Sequence, residues 1–390
     1  MTDDDGPQGE QKLLGLLFTP DARVDPYPLY AQVDVPGCRH AVATRMLRDP
    51  RMGPPILGLE TSDEVMWTTF ARFLLNLDGD RHREMRRRFA RIFTPGRVEQ
   101  YRPAIEARAH ALIDAVIERG SMDLVTEYAR PLPFAIISTV LGVPEDRWPW
   151  VAERMLALDE GFVRQQEPGY IGRASTAVAE MLECFGDLLD ERAEHPQDDL
   201  LSRLATDAPQ DEEGRRDLLA NCIFFIEAGH ATTSSLIAGG LALLLQHPDQ
   251  LDLLRRDPGL LPAAVEEVVR MIAPVSVVLV RAREDLEIDG HRFAAGERRV
   301  VFPAGANRDP DAFADPDRFD ITRADNPHLS FSGGAHLCLG APLARLHGEV
   351  GLRALLDRLP DLHLAGDPQW LGSIPLREPE HVPVAWSSRP

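Results

Sequence analysis

The segment FSGGAHLCLG, residues 331–340, holds the residues whose types and spacing point most directly to chemistry. Cys338 stands between a Gly-rich stretch and an apolar-periodic segment, APLARLHGEVGLRALLDRL (341–359), that reads as a helix. A thiol at a helix N-terminus feels the positive end of the helix dipole, and nearby backbone N–H groups favour its thiolate. Gly333, Gly334 and Gly340 let the backbone approach a large, flat partner closely. A protein would present a thiolate to haem iron in this way. Taken alone, a cysteine in a Gly-rich loop is more often an inert small residue.

Other groups have two readings as well. Glu267 and Arg270 in EEVVR are spaced i,i+3, which by itself describes a surface ion pair. Arg318 in ANRDPDAFADPDRFD (306–320) alone reads as a solvated loop residue. In AGHATT (228–233), Ala228, Gly229 and Thr232 fall within one helical turn and share a face. A helix-interior threonine ordinarily bonds back to the i−4 carbonyl. The stretch Arg81–Arg91 carries six arginines against one glutamate, Glu84, and so reverses the sign of the chain locally.

These residues need elements to position them. Helical spacing of apolar residues runs through 80–93, 103–120, 174–195 and 218–247, with Gly120 and Pro196 as stop signals. The 218–247 segment is apolar nearly all round and predicts a central buried helix. After Pro274 the pattern changes: 275–282, 286–290 and 297–302 read as short strands, with Asp289-Gly290 as a hairpin turn. Residues 303–335 have no period and predict a long functional loop. The class is α+β, mostly α, with small sheets. Residues 1–12 read as a mobile tail.

Composition removes several functions. The chain has 390 residues and a net charge of −20, which disfavours nucleic-acid binding. Lys12 is the only lysine. Cys38, Cys184, Cys222 and Cys338 form no CxxC pair and no disulfide scaffold, as in a reduced cytoplasmic protein. The acidic, polar N-terminus is no signal peptide, and the longest apolar run, 236–245, is about half a membrane span. The expectation is a cytoplasmic protein without membrane or nucleic-acid partners.

The segment 331–340 resembles the haem-binding signature of the cytochrome P450 family, F-x-x-G-x-[HR]-x-C-x-G, at Phe331, Gly334, His336, Cys338 and Gly340. EEVVR, the stretch 306–320 and AGHATT stand in the family's order, so the resemblance covers about residues 20–387. It implies one domain over 13–390, haem b (iron protoporphyrin IX), and Cys338 as the iron ligand. It implies a buried Glu267–Arg270 pair completed by Arg318. It implies that His82, Arg86 and His336 hold the propionates, and that Thr232, Gly229 and Ala228 face bound dioxygen. Electrons would come from NAD(P)H through a ferredoxin reductase and a ferredoxin docking on the arginines of 81–91. The activity implied is hydroxylation or epoxidation of a small molecule, tailoring a bacterial natural product. Oxidative coupling, nitrogen oxidation or peroxide-driven chemistry is the alternative within the class; a non-catalytic haem-binding protein is a further one.

The chain departs from the family at three points. The acid expected before Thr232 is replaced by Ala231, with Glu227 one turn away and His230 adjacent. The expectation is a monooxygenase with a rewired proton relay. The arginine of a third propionate contact falls one place off, at Arg281, where Val280 takes its position. A bulge must restore Arg281, or the contact is lost. Only about 13 residues separate 20–32 from 46–53, too few for the family's first hairpin, so the first sheet must be shortened. Lining candidates for substrate are Phe70, Phe162, Phe225, Val277, Val278 and Ile374.

Overall fold

Helices dominate the architecture because apolar stripes at helical spacing dominate the sequence. The computed structural model describes residues 6–19, 21–22, 25–372 and 375–387. The principal helices are α1 (Pro7–Leu17), α2 (His40–Arg48), α3 (Gly79–Ala90), α4 (Arg102–Asp114), α5 (Pro131–Leu141), α6 (Trp148–Val163), α7 (Tyr170–Glu194), α8 (Glu212–Gln246), α9 (Leu261–Ile272) and α10 (Ala341–Arg358). The chain packs as two compact units. One comprises Met1–Pro55, Val98–Leu132 and Ala231–Pro390; the other comprises Ile56–Arg97 and Pro133–His230.

The first unit carries the strands. The main sheet has antiparallel order β1 (Met52–Gly53), β3 (Val278–Ala282), β6 (Arg298–Val301), while β2 (Ser121–Asp123) pairs antiparallel with Pro383–Ala385 in a second sheet. A hairpin joins β4 (Leu286–Ile288) to β5 (His291–Phe293) through Asp289 and Gly290. Both turn residues have positive φ, 50° and 81°, as a two-residue turn of type I′ requires. Val280 and Ala282 point into an apolar cluster with Val42, Met46, Ile288 and Phe293. The pairing of β3 with β6 runs unbroken from Val278↔Val301 to Arg281↔Arg298. No bulge intervenes, so Val280 keeps the core face and Arg281 shares the face of Leu279.

Among the described residues, no hairpin stands before α2. A single 3-10 turn, Pro36–Cys38, occupies that place and seals the free edge of β6. Gly37 accepts the amide of Phe302 at 3.0 Å. A Cβ on Gly37 would lie 2.0 Å from the Val300 carbonyl oxygen, so only glycine fits. The rest of the edge is met by α1. Glu10 accepts the Val300 amide (3.1 Å) and the Nε of Arg299 (2.8 Å), and both side chains are buried. Residues 7–12, expected in a mobile tail, therefore form the first turns of α1. Pro7 opens the helix, and Glu10, Leu13 and Leu17 form its buried stripe. Residues 1–5 lie outside the described residues.

In the second unit, α3 starts at Asp78, whose Oδ1 accepts the Gly79 amide at 2.7 Å. It buries His82, Met85 and Phe89, a stripe at i, i+3, i+7. The long helix α8 runs through both units. It is the one helix among the described residues long and apolar enough to cross a membrane, and 72% of its apolar window is buried inside the protein.

Candidate functional site

The cysteine loop is shaped by backbone that most residues avoid. Ser332 and Gly334 have φ of 61° and 59°. A Cβ on Gly334 would sit 2.5 Å from the Leu47 carbonyl at the end of α2, so both space and conformation select glycine. The Cys338 amide donates to the Phe331 carbonyl at 2.9 Å and closes the loop just before α10. Cys338 is exposed, whereas Cys222 is buried and Cys38 and Cys184 are half-buried. Burial pushes the Cys222 thiol up to about 12 and raises that of Cys38 well above its ordinary value. Cys338 is thus the thiol placed to meet a partner.

Two adjacent glutamates of α9 anchor this loop and the segment before it. Glu267 is fully buried and binds Arg270 bidentately, at 2.8 Å to Nε and 2.8 Å to Nη2. It also accepts from the Asp320 amide (3.0 Å) and Asn326 (3.1 Å). The second arginine is not Arg318. That side chain is 62% exposed and pairs with Asp320 at 3.7 Å. Arg323 takes the place, with Nε 3.2 Å from Glu267 Oε2 and Nη1 donating to the Ala314 carbonyl at 2.8 Å. Arg318 contributes its carbonyl, which accepts from Arg270 at 3.1 Å. The irregular stretch after 306, a meander, supplies its arginine to Glu267 five residues later than the sequence pattern suggested. Its only signal in the sequence was a second arginine soon after the first.

Glu266 holds Arg345 of α10 at 2.6 and 2.8 Å and His328 at 3.2 Å. The Arg345 guanidinium lies 4.5 Å over the Phe331 ring. Burial opposes the Glu266 charge, but the hydrogen bonds from Arg345 and His328 outweigh it and lower its pKa to about 2. Asn307, fully buried, ties the Arg270 carbonyl (3.1 Å), Ser330 Oγ (2.8 Å) and the Leu329 amide (2.8 Å) together. His336 is half-buried in a short 3-10 turn, Gly334–His336, ahead of the thiol.

In the second unit His82 is buried and Arg86, four residues on, is half-buried, so both point inward from one face of α3. The outward arginines do not form the free basic patch expected. Arg81 binds Asp217 through three hydrogen bonds, Arg88 binds Glu84 (2.7 Å) and Arg91 binds Asp207 (3.2 Å). Arg83 pairs with Asp80. Acids more than a hundred residues away in sequence cancel much of the local charge; Arg87 is exposed.

On α8 the half-buried positions between 221 and 235 are Phe224, Glu227, Ala228, Gly229 and Thr232. They form one stripe. Gly229 also has a packing reason: an added Cβ would lie 3.1 Å from Ile137 Cγ1 of α5. Among the lining candidates, Phe70 and Phe162 are half-buried with centroids 5.2 Å apart. Phe225 instead stacks on Phe89 at 4.2 Å and belongs to the core. Val277 and Val278 pack against apolar clusters, and Ile374 lies outside the described residues.

The residues present fit a haem. Cys338 offers an accessible soft sulfur on a pinned loop, and His82 and Arg86 are an inward imidazole and guanidinium of the kind suited to acidic groups. Comparison with known proteins makes this specific. The cytochrome P450 family model matches residues 174–360. Cytochrome P450 monooxygenase PikC of Streptomyces venezuelae is 37% identical over 393 residues, covering 94% of this chain and 92% of that protein. The 6-deoxyerythronolide B hydroxylase of Saccharopolyspora erythraea is 39% identical, covering 81% and 78%. The structure of P450BioI in complex with an acyl carrier protein superposes with a TM-score of 0.88 at 30% identity, covering 94% of this chain and all of that one. The chain belongs to the cytochrome P450 family. It is an oxygen-incorporating monooxygenase of the bacterial natural-product-tailoring kind, working with haem b, redox partners and small substrates.

Proposed function

We propose that Cys338 supplies the thiolate ligand of the haem iron, and that His82, Arg86 and His336 bind the propionates. The observation that carries this is the exposed Cys338 thiol on a loop fixed by Glu266, Arg345 and Phe331. The haem supplies dioxygen activation when bound. The chain's own work is to fix the sulfur, exclude water along the buried length of α8, and present the Thr232 hydroxyl beside the small residues Gly229 and Ala228. Arg281 is left out of the propionate set, because β3 gives it no bulge. The reading extends to a single domain over 13–390, to a cytoplasmic location, and to electrons from NAD(P)H through a ferredoxin reductase and a ferredoxin. Arg87, with whichever of its neighbours exchange intramolecular for intermolecular partners, would serve ferredoxin docking. The substrate is a small natural-product intermediate. The ferrous–carbonyl spectrum tests the ligand: the purified protein shows the thiolate-type Soret band and Cys338→His loses it. A band unchanged in Cys338→His overturns the assignment.

A further inference from the structure

We propose that Glu227 delivers protons from the open stripe of α8, recharged through Asp159 and His230. The inference rests on the monooxygenase reading above. Oxygen insertion balances as RH + O2 + 2e⁻ + 2H⁺ → ROH + H2O, with the electrons supplied by the redox partner. The O–O bond breaks, a C–O and an O–H bond form, and two protons must reach a helix whose surroundings are largely buried. Of the five half-buried residues on the stripe, Glu227 alone is ionisable. Ala231, 4% exposed, has no proton to give. Glu227 precedes it by four residues on the same face, about 6 Å along the axis, a distance one water spans.

A second arrangement feeds this carboxylate. Ligating atoms of Asp159, Glu227 and His230 all lie within 4.8 Å of one another. His230 is 7% exposed, and its Nδ1 lies 2.9 Å from the Ile226 carbonyl. A carbonyl only accepts, so Nδ1 carries the hydrogen and Nε2 of the neutral ring keeps its lone pair. The ring edge of Phe134 of α5, at 6.1 Å, holds the imidazole in place. Asp159 is half-buried on α6, and its neighbour Glu160 is turned to Arg173 at 3.9 Å. The groups facing His230 are therefore Asp159 from α6, Glu227 from its own helix and the uncharged Phe134 from α5. A proton enters at Asp159, is shared with His230 Nε2, and passes to Glu227. Glu227 releases it on the stripe and returns to carboxylate. Glu227 is the relay donor; Asp159 and His230 are positioning residues.

The test uses the holoenzyme with ferredoxin, its reductase and NADPH, with dioxygen as the probe and no organic substrate. The readout is the share of consumed dioxygen released as hydrogen peroxide rather than water. Glu227→Gln is expected to raise that share several-fold, and adding Ala231→Glu to Glu227→Gln to bring it back. Asp159→Asn is expected to raise the share by a smaller factor while leaving the denaturant midpoint unchanged. An unchanged peroxide share in Glu227→Gln, a double variant that restores nothing, or an Asp159→Asn share equal to the parent's overturns the proposal. A protein without the thiolate band overturns the haem-thiolate reading instead.

Discussion

Glu267 and Glu227 sit on two core helices, and their surroundings are opposites. Glu267 has no exposure, and Arg270, Arg323, Asn326 and a backbone amide occupy its oxygens. Glu227 is half-buried beside two other titratable groups, on the open face of its helix. The first carboxylate is saturated and holds two loops in one arrangement. The second stands beside two groups that can exchange protons with it. A buried charge contributes rigidity when a full set of donors locks it in place, and contributes chemistry when titratable neighbours surround it.

Glu267→Gln against Glu227→Gln is the sharpest way to break this contrast. Removing the Glu267 charge leaves Arg270 buried without its counter-ion, a loss of about 3–5 kcal/mol in denaturant unfolding. Glu227→Gln is expected to stay within about 1 kcal/mol of the parent. Equal losses would erase the distinction. Next in size, Arg323→Ala should cost about 2–3 kcal/mol through a broken buried pair, and Arg318→Ala less than about 0.5, since that side chain is exposed. The reverse order would return Arg318 to the network.

A further effect concerns acid. Glu266 has a folded-state pKa lowered to about 2 from its ordinary 4.5, so its contribution is complete above 4.5 and is lost as pH falls toward 2. Burial lowers His347 from 6.5 to about 4, so its contribution is complete above 6.5 and is lost as pH falls to 4. The urea midpoint should therefore fall below pH 6.5 and fall further below 4.5. Glu266→Gln should flatten only the lower part, and a parallel curve for that variant would refute the assignment.

The cysteine loop was legible in the sequence because its residues are contiguous and each type has a local reason: Gly334 for its φ and its contact with Leu47, and Cys338 for the helix that follows. The turn at Asp289-Gly290 was legible for the same reason; His82 and Arg86 were named only through the family resemblance, and α3 sets both on one face. Arg323 was not legible, because which of two loop arginines reaches Glu267 depends on how the meander packs. The neutralised arginines of α3 were hidden for a similar reason: Asp207 and Asp217 come from a distant stretch. Glu10 was hidden most completely. In the sequence it belongs to an acidic, polar run, and its partner Arg299 lies 289 residues away.

That partnership has a consequence for handling the protein. An edge strand with open amides recruits other chains, and natural proteins guard such edges. Here a side-chain carboxylate and a glycine turn guard that edge. Trimming the first dozen residues, as an expression strategy might, would bare the Val300 amide and strand a buried guanidinium. The shortened protein would then be prone to aggregate edge to edge, with every residue of the haem loop still present.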